Sequence, residues 1–218
     1  MPKSLPVILA LGFGVMWIPV LMQGIWKKIT VWKTIVISLA LVVFGTLGAM
    51  LLFFVENGAF GGFSYYGAIF LVALTCFPVA KLLKMPYSLL TDLSAPAGCA
   101  MLVFMRIRCY MSGCCNGIYL YTVENNRHIY FPSQLTELGL GIVLTVVLLW
   151  LSRKKKFSGT VYGWYMLLYG LARFVLNFFR ADNAPFVWIL PPGHLWSLVS
   201  IAIGATWLTL KLRKPKTA

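Results

Sequence analysis

The stretch TIVISLALVVFGTLGAMLLFFV, residues 34–55, runs for 22 residues without a charged side chain. A helix of about 20 apolar residues crosses the ~30 Å hydrocarbon core of a bilayer. Six other apolar runs are close to this length. The sequence therefore predicts an all-α membrane protein, a single domain over residues 1–218 with about seven transmembrane helices, at residues 5–25, 34–55, 65–83, 88–105, 135–152, 161–179 and 194–210.

The composition agrees with a membrane protein. Hydrophobic residues make up 60% of the chain and charged residues 11%, and the mean hydropathy is +0.84. A soluble core of this size cannot absorb so much apolar surface. The net charge of +14 would suggest nucleic acid binding in a soluble domain. Here the basic residues lie in short connections between apolar runs, so nucleic acid is not an expected partner.

Basic residues in alternate connections predict the orientation. Cytoplasmic loops of membrane proteins carry an excess of Lys and Arg. Counting the spans then places the N-terminus outside and the C-terminus in the cytoplasm. The thirteen residues assigned to the cytoplasmic side are Lys27, Lys28, Lys33, Lys81, Lys84, Arg153, Lys154, Lys155, Lys156, Lys211, Arg213, Lys214 and Lys216.

The groups capable of chemistry fall on the opposite side. The six remaining basic residues include five arginines, whose planar fork suits phosphate and carboxylate. Both histidines and four of the five acidic residues map to the same half. A functional site near the outer leaflet is one interpretation, and interfacial snorkelling is the other. These residues are Lys3, Arg106, Arg108, Arg127, Arg173, Arg180, His128, His194, Glu56, Glu124, Glu137 and Asp182.

Two spans carry polar residues at membrane depth. Arg173, Asn177 and Arg180 have the spacing i, i+4, i+7, which predicts one helical face directed into the bundle. Asp92 begins the polar break DLSAP, residues 92–96. A charge in a span is a functional candidate, although Asp92 could instead only pair with an arginine.

Residues 106–117, RIRCYMSGCCNG, predict an irregular loop that binds an anion through backbone N–H groups and arginine forks. Its cysteines are interpreted as nucleophiles or as a structural disulfide. The five cysteines make no zinc pattern, and no metal or cofactor is predicted. In residues 132–137, PSQLTE, the polar groups could cap a helix, or Glu137 could pair with an arginine.

Five stretches in order give the chain a family resemblance. They are GGFSYYG (61–67), DLSAP (92–96), RIRCYMSGCCNG (106–117), PSQLTE (132–137) and YGLARF (169–174) continuing through Arg180 and Asp182. This combination resembles bacterial prolipoprotein diacylglyceryl transferase. The resemblance implies transfer of the diacylglyceryl group of phosphatidylglycerol to the lipobox cysteine of a preprolipoprotein, with glycerol phosphate leaving. The implied location is the bacterial inner membrane.

The resemblance also implies site residues. We expect catalytic roles for Arg106, Arg173, Tyr66 and Glu137. Substrate-binding roles are expected for Arg180, Asp92, Asn177, Ser64, Gln134, Gly117, Cys109, Cys114 and His128. The chain departs from the family pattern at four of these positions: Tyr66 stands for a His, Cys109 for an Asn, and Cys114 and Asn177 each for a Glu.

The expected partners are phosphatidylglycerol or another anionic phospholipid, and a protein or peptide with a cysteine thiol. Two alternatives stay open. One is a related membrane enzyme that moves a phospholipid-derived group to another acceptor. The other is a lipid-binding or transport protein on the same scaffold, which would call for polar groups along a path to both leaflets.

Overall fold

The computed structural model describes residues 5–59, 61–123, 127–181 and 190–213, and all their side chains except those of residues 5–13, 123 and 127. These residues form a helical bundle and one short hairpin, so the predicted all-α membrane fold is confirmed. The helices are α1 (Leu5–Trp26), α2 (Val31–Asn57), α3 (Tyr65–Leu83), α4 (Tyr87–Ser112), α5 (Ser133–Arg153), α6 (Val161–Asn177) and α7 (Pro192–Arg213).

Five of the helices in the described chain, α2, α3, α4, α5 and α7, are long and apolar enough to cross a membrane. Helix α6 has 17 residues and stops two residues before the predicted end of its span. Two turn residues follow it, and Arg180 then forms an isolated β-bridge with Gly117. Arg180 therefore lies beyond the end of the helix. The prediction from the i, i+7 spacing, that Arg180 shares a helical face with Arg173, is wrong.

Helix α4 corrects one expectation about its end. Its polar segment at residues 92–96, with Pro96, lies within one continuous helix, as the predicted span requires. The polar and small residues of this segment are buried, with Asp92, Ser94 and Pro96 among them. The helix also continues to Ser112, so the predicted irregular loop is wrong for the first seven residues of the 106–117 stretch. Only the residues after Ser112 are non-helical.

A β-hairpin in the connection between α4 and α5 was missed at the sequence level. Its antiparallel strands are β1 (Tyr119–Val123) and β2 (Arg127–Tyr130), with an irregular register between Tyr119 and Tyr121. Aromatic and β-branched residues such as those of the YLYTV segment are enriched in strands, so the signal was present. The long apolar runs on either side dominate the hydropathy pattern and obscure it.

Hydrogen bonds draw the basic connections together at one end of the bundle, the basic end. Lys33 Nζ donates to Leu83 O (2.9 Å), which joins the start of α2 to the end of α3. Trp207 Nε1, in α7, donates to Gly159 O (3.0 Å), just before α6. The connections predicted to be cytoplasmic therefore share one end. The hairpin lies at the other.

Buried tyrosines tie α3, α4 and α6 together between the two ends. The Tyr65 hydroxyl donates to Gly98 O (2.7 Å) and lies 2.8 Å from the hydroxyl of Tyr165. The Tyr162 hydroxyl donates to Ile69 O (2.8 Å). Buried phenols need such partners, and satisfying them fixes how the helices pack. The site residues stand on these same helices.

Candidate active site

Three arginines converge on one buried carboxylate at the end of the bundle away from the basic end. Glu137, in the second turn of α5, has a side chain only 1% exposed. Arg106 pairs with its Oε2, Arg173 pairs with its Oε1, and Arg180 Nη1 donates to Oε1 at 2.9 Å. We call Arg106, Arg173 and Arg180 the arginine cluster. Its members come from α4, α6 and the turn after α6.

Charge balance makes this cluster unusual for a protein interior. One carboxylate neutralises one guanidinium, so the four side chains carry a net charge of two positive units. Buried charges are costly unless they are paired. Arginine is also well suited to bind phosphate, because its guanidinium group can donate two parallel hydrogen bonds to the phosphate oxygens. The arrangement therefore favours an anionic ligand.

A cavity of about 300 Å³ opens beside the cluster. All three arginines line it, whereas Glu137 does not and holds them from behind. Phe53 of α2 and Trp196 of α7 supply apolar and aromatic wall. The predicted site residues that line this cavity are Ser64, Tyr66, Arg106, Cys109, Arg173, Asn177 and Arg180.

A family model described as prolipoprotein diacylglyceryl transferase matches residues 4–210, nearly the whole chain. The chain belongs to the prolipoprotein diacylglyceryl transferase family. Proteins named phosphatidylglycerol–prolipoprotein diacylglyceryl transferase resemble it in several bacteria. The protein of Clostridium tetani is 31% identical over 154 residues, which cover 66% of this chain and 61% of the relative.

Two other relatives of the same name give similar figures. The protein of Mannheimia succiniciproducens is 30% identical over 168 residues, covering 71% of this chain and 62% of the relative. The protein of Wolinella succinogenes is 33% identical over 168 residues, covering 71% and 60%. The matched part of the chain thus corresponds to about three fifths of the length of these family members.

Tyr66, which stands for a histidine in the family resemblance, is held in a hydrogen-bonded chain. Ser197 Oγ donates to Gly193 O (2.6 Å), so the Tyr66 hydroxyl, 2.7 Å from that oxygen, is the donor of their shared bond. Its ring packs on Tyr169 with centroids 5.5 Å apart. Tyr66 therefore connects α3 to α7 at the cavity wall, and its proton is already engaged.

Gln134 and Gly117 shape the loop after α4. The Gln134 amide donates to Cys114 O (2.7 Å) and to Asn116 Oδ1 (2.8 Å). At Gly117 an added Cβ would collide with the backbone of Phe131 and approach Phe179 O at 2.9 Å. Both residues make contacts within the protein, and neither lines the cavity beside the arginine cluster.

Asp92 and His128 lie away from the arginine cluster. Asp92 Oδ1 accepts a hydrogen bond from the Tyr162 N–H (3.1 Å), and Oδ2 accepts one from the Gly159 N–H, at the basic end. His128 is exposed on β2, where its Nδ1 is 3.0 Å from Thr122 Oγ1. The structure therefore does not bring either residue to the predicted substrate site.

The three cysteines near the end of α4 gather at the edge of the cavity, which Cys109 and Cys115 line and exposed Cys114 does not. A hydrogen bond from Cys109, together with nearby Arg180 and Arg106, lowers the pKa of Cys115 to about 5, although burial opposes the shift. A lowered pKa favours the thiolate, which is the reactive form of a cysteine.

Glu56 was not predicted as a site residue, yet it lines the cavity from the last turn of α2. Its Oε1 accepts a hydrogen bond from Ser64 Oγ (3.0 Å). The sequence signal was an acidic residue at the outer end of an apolar span, five residues before the GGFSYYG stretch. His194, by contrast, packs its ring on Phe178 with centroids 4.7 Å apart. Lys3, Glu124 and Asp182 lie outside the described residues.

Proposed function

We propose that this chain transfers the diacylglyceryl group of phosphatidylglycerol to the lipobox cysteine thiol of a preprolipoprotein, at the outer face of a bacterial inner membrane. The observation that carries the proposal is the arginine cluster beside a cavity at the end of the bundle opposite its basic end. Membership of the family, whose named relatives use these substrates, supports it.

Formal charges favour this reaction over simple binding. The phosphodiester of phosphatidylglycerol carries one negative charge, and glycerol phosphate approaches two at neutral pH. The arginine cluster with Glu137 carries two positive charges, so neutralisation is completed only as the leaving group departs. Interactions that strengthen toward the transition state are the ones that accelerate a reaction. Removing one such preorganised donor typically slows catalysis by about 10²–10³.

The bond changes follow from the two substrates. The acceptor sulfur attacks the glyceryl carbon that bears the phosphate ester. A C–S bond forms while the C–O bond breaks, and the bonding pair stays on the phosphate oxygen. The guanidinium groups stabilise the negative charge that develops there. The thiol proton must go to a base. A positioned base contributes typically about 10²–10⁴ in rate.

Glu56 is our candidate for that base. Its carboxylate faces the same cavity as the arginine cluster, and Ser64 orients one of its oxygens. Tyr66 is a weaker candidate because its hydroxyl already donates to Ser197. In this proposal Tyr66 fixes the cavity wall, and Glu56 accepts the thiol proton.

An adjoining apolar groove fits the rest of a phospholipid. A second cavity of about 140 Å³ lies among α1, α2 and α4, lined by residues such as Met16, Leu41 and Phe104. Phe63 and Met105 line both cavities, so the groove begins where the headgroup cavity ends. Apolar walls beside a few convergent polar groups are typical of ligand sites. In this proposal the acyl chains occupy the groove and the phosphate binds the arginine cluster.

A transferase with a different acceptor is the second candidate. Cys109 and Asn177, which line the cavity, replace the residue types that the family resemblance calls for. The arginine cluster is unchanged, so these replacements bear on the acceptor more than on the phosphate. Glycerol phosphate release without modification of a lipobox peptide would select this candidate.

The test uses the purified chain, phosphatidylglycerol and a lipobox-cysteine peptide. We expect mass spectrometry to find a diacylglyceryl adduct on the peptide and glycerol phosphate in equal amount. Arg173→Ala should slow both by about 10²–10³. Lys156→Ala, which removes an exposed positive charge at the basic end, is the matched control and should leave the rate unchanged. Full activity of Arg173→Ala would overturn the proposed role of the cluster.

A further inference from the structure

Three thiols converge at the end of α4, and we call Cys109, Cys114 and Cys115 the thiol cluster. Their sulfur atoms all lie within 4.8 Å of one another, and those of Cys114 and Cys115 are 3.7 Å apart. None of the three forms a disulfide. Their sequence spacing is not a zinc signature, so the cluster is a product of the fold.

A chain reversal at Gly113 creates the cluster. Gly113 has φ +66°, and its N–H donates to Tyr110 O (3.3 Å) while the Cys114 N–H donates to Cys109 O (3.2 Å). These two bonds form a Schellman motif, a common end of an α-helix that favours glycine. Because the chain turns back over the last helical turn, the two later cysteines return to the first.

Helix α5 holds the reversed segment in place. Ser133 Oγ donates to Cys115 O (2.6 Å), and the Gln134 amide donates to Cys114 O (2.7 Å). Both donors are buried. The backbone of the vicinal cysteines is therefore held by α5, so the three thiols meet on a segment that is already fixed.

We propose that the thiol cluster binds one thiophilic metal ion, Zn²⁺ or Cu⁺, through three thiolates. Zn–S bonds of about 2.3 Å place tetrahedral sulfur ligands about 3.8 Å apart. The 3.7 Å between Cys114 and Cys115 already matches, and side-chain rotation brings in Cys109. Soft thiolate ligands select Cu⁺ and Zn²⁺ over hard ions. Any of these thiols that is still protonated releases its proton to water as the ion binds.

The surrounding charges support thiolates. Arg106 Nη1 donates to Cys109 Sγ (3.9 Å), and a hydrogen bond of this kind stabilises a metal-bound sulfur. Three thiolates with Zn²⁺ carry one net negative charge, which the neighbouring guanidinium groups offset. No fourth His, Cys, Asp or Glu of the described residues joins the cluster, so a fourth zinc ligand would be water. The site shares a wall of the cavity with the arginine cluster, but metal binding does not depend on the transferase reaction.

The experiment measures metal content directly. The purified chain is reduced without oxygen, and one sample is titrated with Zn²⁺ and another with Cu⁺ against a chromogenic chelator. We expect one ion per chain by elemental analysis. With Co²⁺ as a probe, sulfur-to-cobalt charge-transfer absorption should report the thiolate ligands. Whichever ion competes better with its chelator identifies the preferred metal.

Variants distinguish a specific site from stray thiol binding. Cys109→Ser, Cys114→Ser and Cys115→Ser should each lose the stoichiometric ion and the charge-transfer band. Cys76→Ala removes a thiol buried elsewhere and should bind as the parent does. Unchanged thermal unfolding of the serine variants confirms that they fold. Equal metal content in the triple serine variant would overturn the proposal, as would an anaerobically isolated chain whose mass shows a disulfide among these cysteines.

Discussion

Glu137 is the residue on which the arginine cluster depends. Glu137→Gln would leave three guanidinium groups partly buried without their anion, and breaking a buried pair typically costs about 3–5 kcal/mol. We expect a clear fall in the thermal unfolding midpoint in detergent. Phosphatidylglycerol should restore part of it, because the lipid phosphate supplies the missing negative charge.

Glu56→Gln is the matched control for this change, since Glu56 is only partly buried and forms none of the salt bridges described for Glu137. Its unfolding midpoint should stay close to that of the parent. If Glu137→Gln unfolds at the parent temperature with or without lipid, the carboxylate does not hold the cluster together.

The depressed pKa of Cys115 predicts how its reactivity depends on pH. A thiol with the ordinary pKa near 8.5 loses about tenfold in alkylation rate for each pH unit below that value. The folded-state pKa of Cys115 is lower, so its thiolate persists as pH falls from 8 to 6. We expect its iodoacetamide labelling, measured on the peptide by mass spectrometry, to change little over this range. A steep tenfold fall per unit would contradict the shift.

Single residues show what the sequence could and could not predict. Arg173 stood out because a charge at membrane depth is costly and therefore conspicuous, whereas Arg106 and Glu137 were expected at the site from the family resemblance. The thiol cluster was not, since it depends on a backbone reversal at Gly113. Glu56 looked like an ordinary residue at a helix end, and the packing of α2 against α3 brings it to the cavity.

At the scale of elements, α4 links the two ends of the bundle. Asp92 accepts hydrogen bonds from N–H groups at the start of α6, where the helix dipole also favours a negative charge. Arg106 stands 14 residues further along, about 21 Å away on the helix axis. The polar character of α4 thus has two separate causes, a cap for α6 at one end and the arginine cluster at the other.

Asp92→Asn separates these two causes. The variant loses the charge and weakens the cap, which typically costs about 1–2 kcal/mol. We expect a lower unfolding midpoint with turnover of the folded protein within roughly threefold of the parent. Arg173→Ala should show the reverse, a large loss of turnover. A loss of turnover in Asp92→Asn comparable to that of Arg173→Ala would instead support the substrate-binding role first expected for Asp92.

Elements also differed in how predictable they were. The helices followed from apolar length, because backbone polar groups in lipid must be satisfied within the segment. Helix ends were less certain: α4 runs past the predicted residue 105 to Ser112, and α6 stops at Asn177. The hairpin has no such constraint from lipid. The only sequence signal for the hairpin is the strand propensity of its residues. This signal is weak beside the long apolar runs that flank it.

At the scale of the whole molecule, the shared basic end predicts orientation. A cysteine introduced at Ser158, in the α5–α6 connection, should resist a membrane-impermeant maleimide in intact cells and react after permeabilisation. A cysteine at exposed Thr122, on the hairpin, should react in intact cells. Both variants are made without the native cysteines. The opposite labelling pattern would invert the proposed topology and place the cavity in the cytoplasm.

The sharing of one carboxylate among three arginines also bears on how the protein assembles. Membrane helices insert individually and associate afterwards. Glu137 is on α5, whereas its partners belong to α4, α6 and the turn after α6. No single inserted helix can pair these charges. The salt bridges therefore stabilise only the bundle in which α4, α5 and α6 have associated correctly. The cluster would thus act as a late checkpoint in biogenesis, and a chain with one of these helices undocked would be both inactive and a recognisable substrate for quality control.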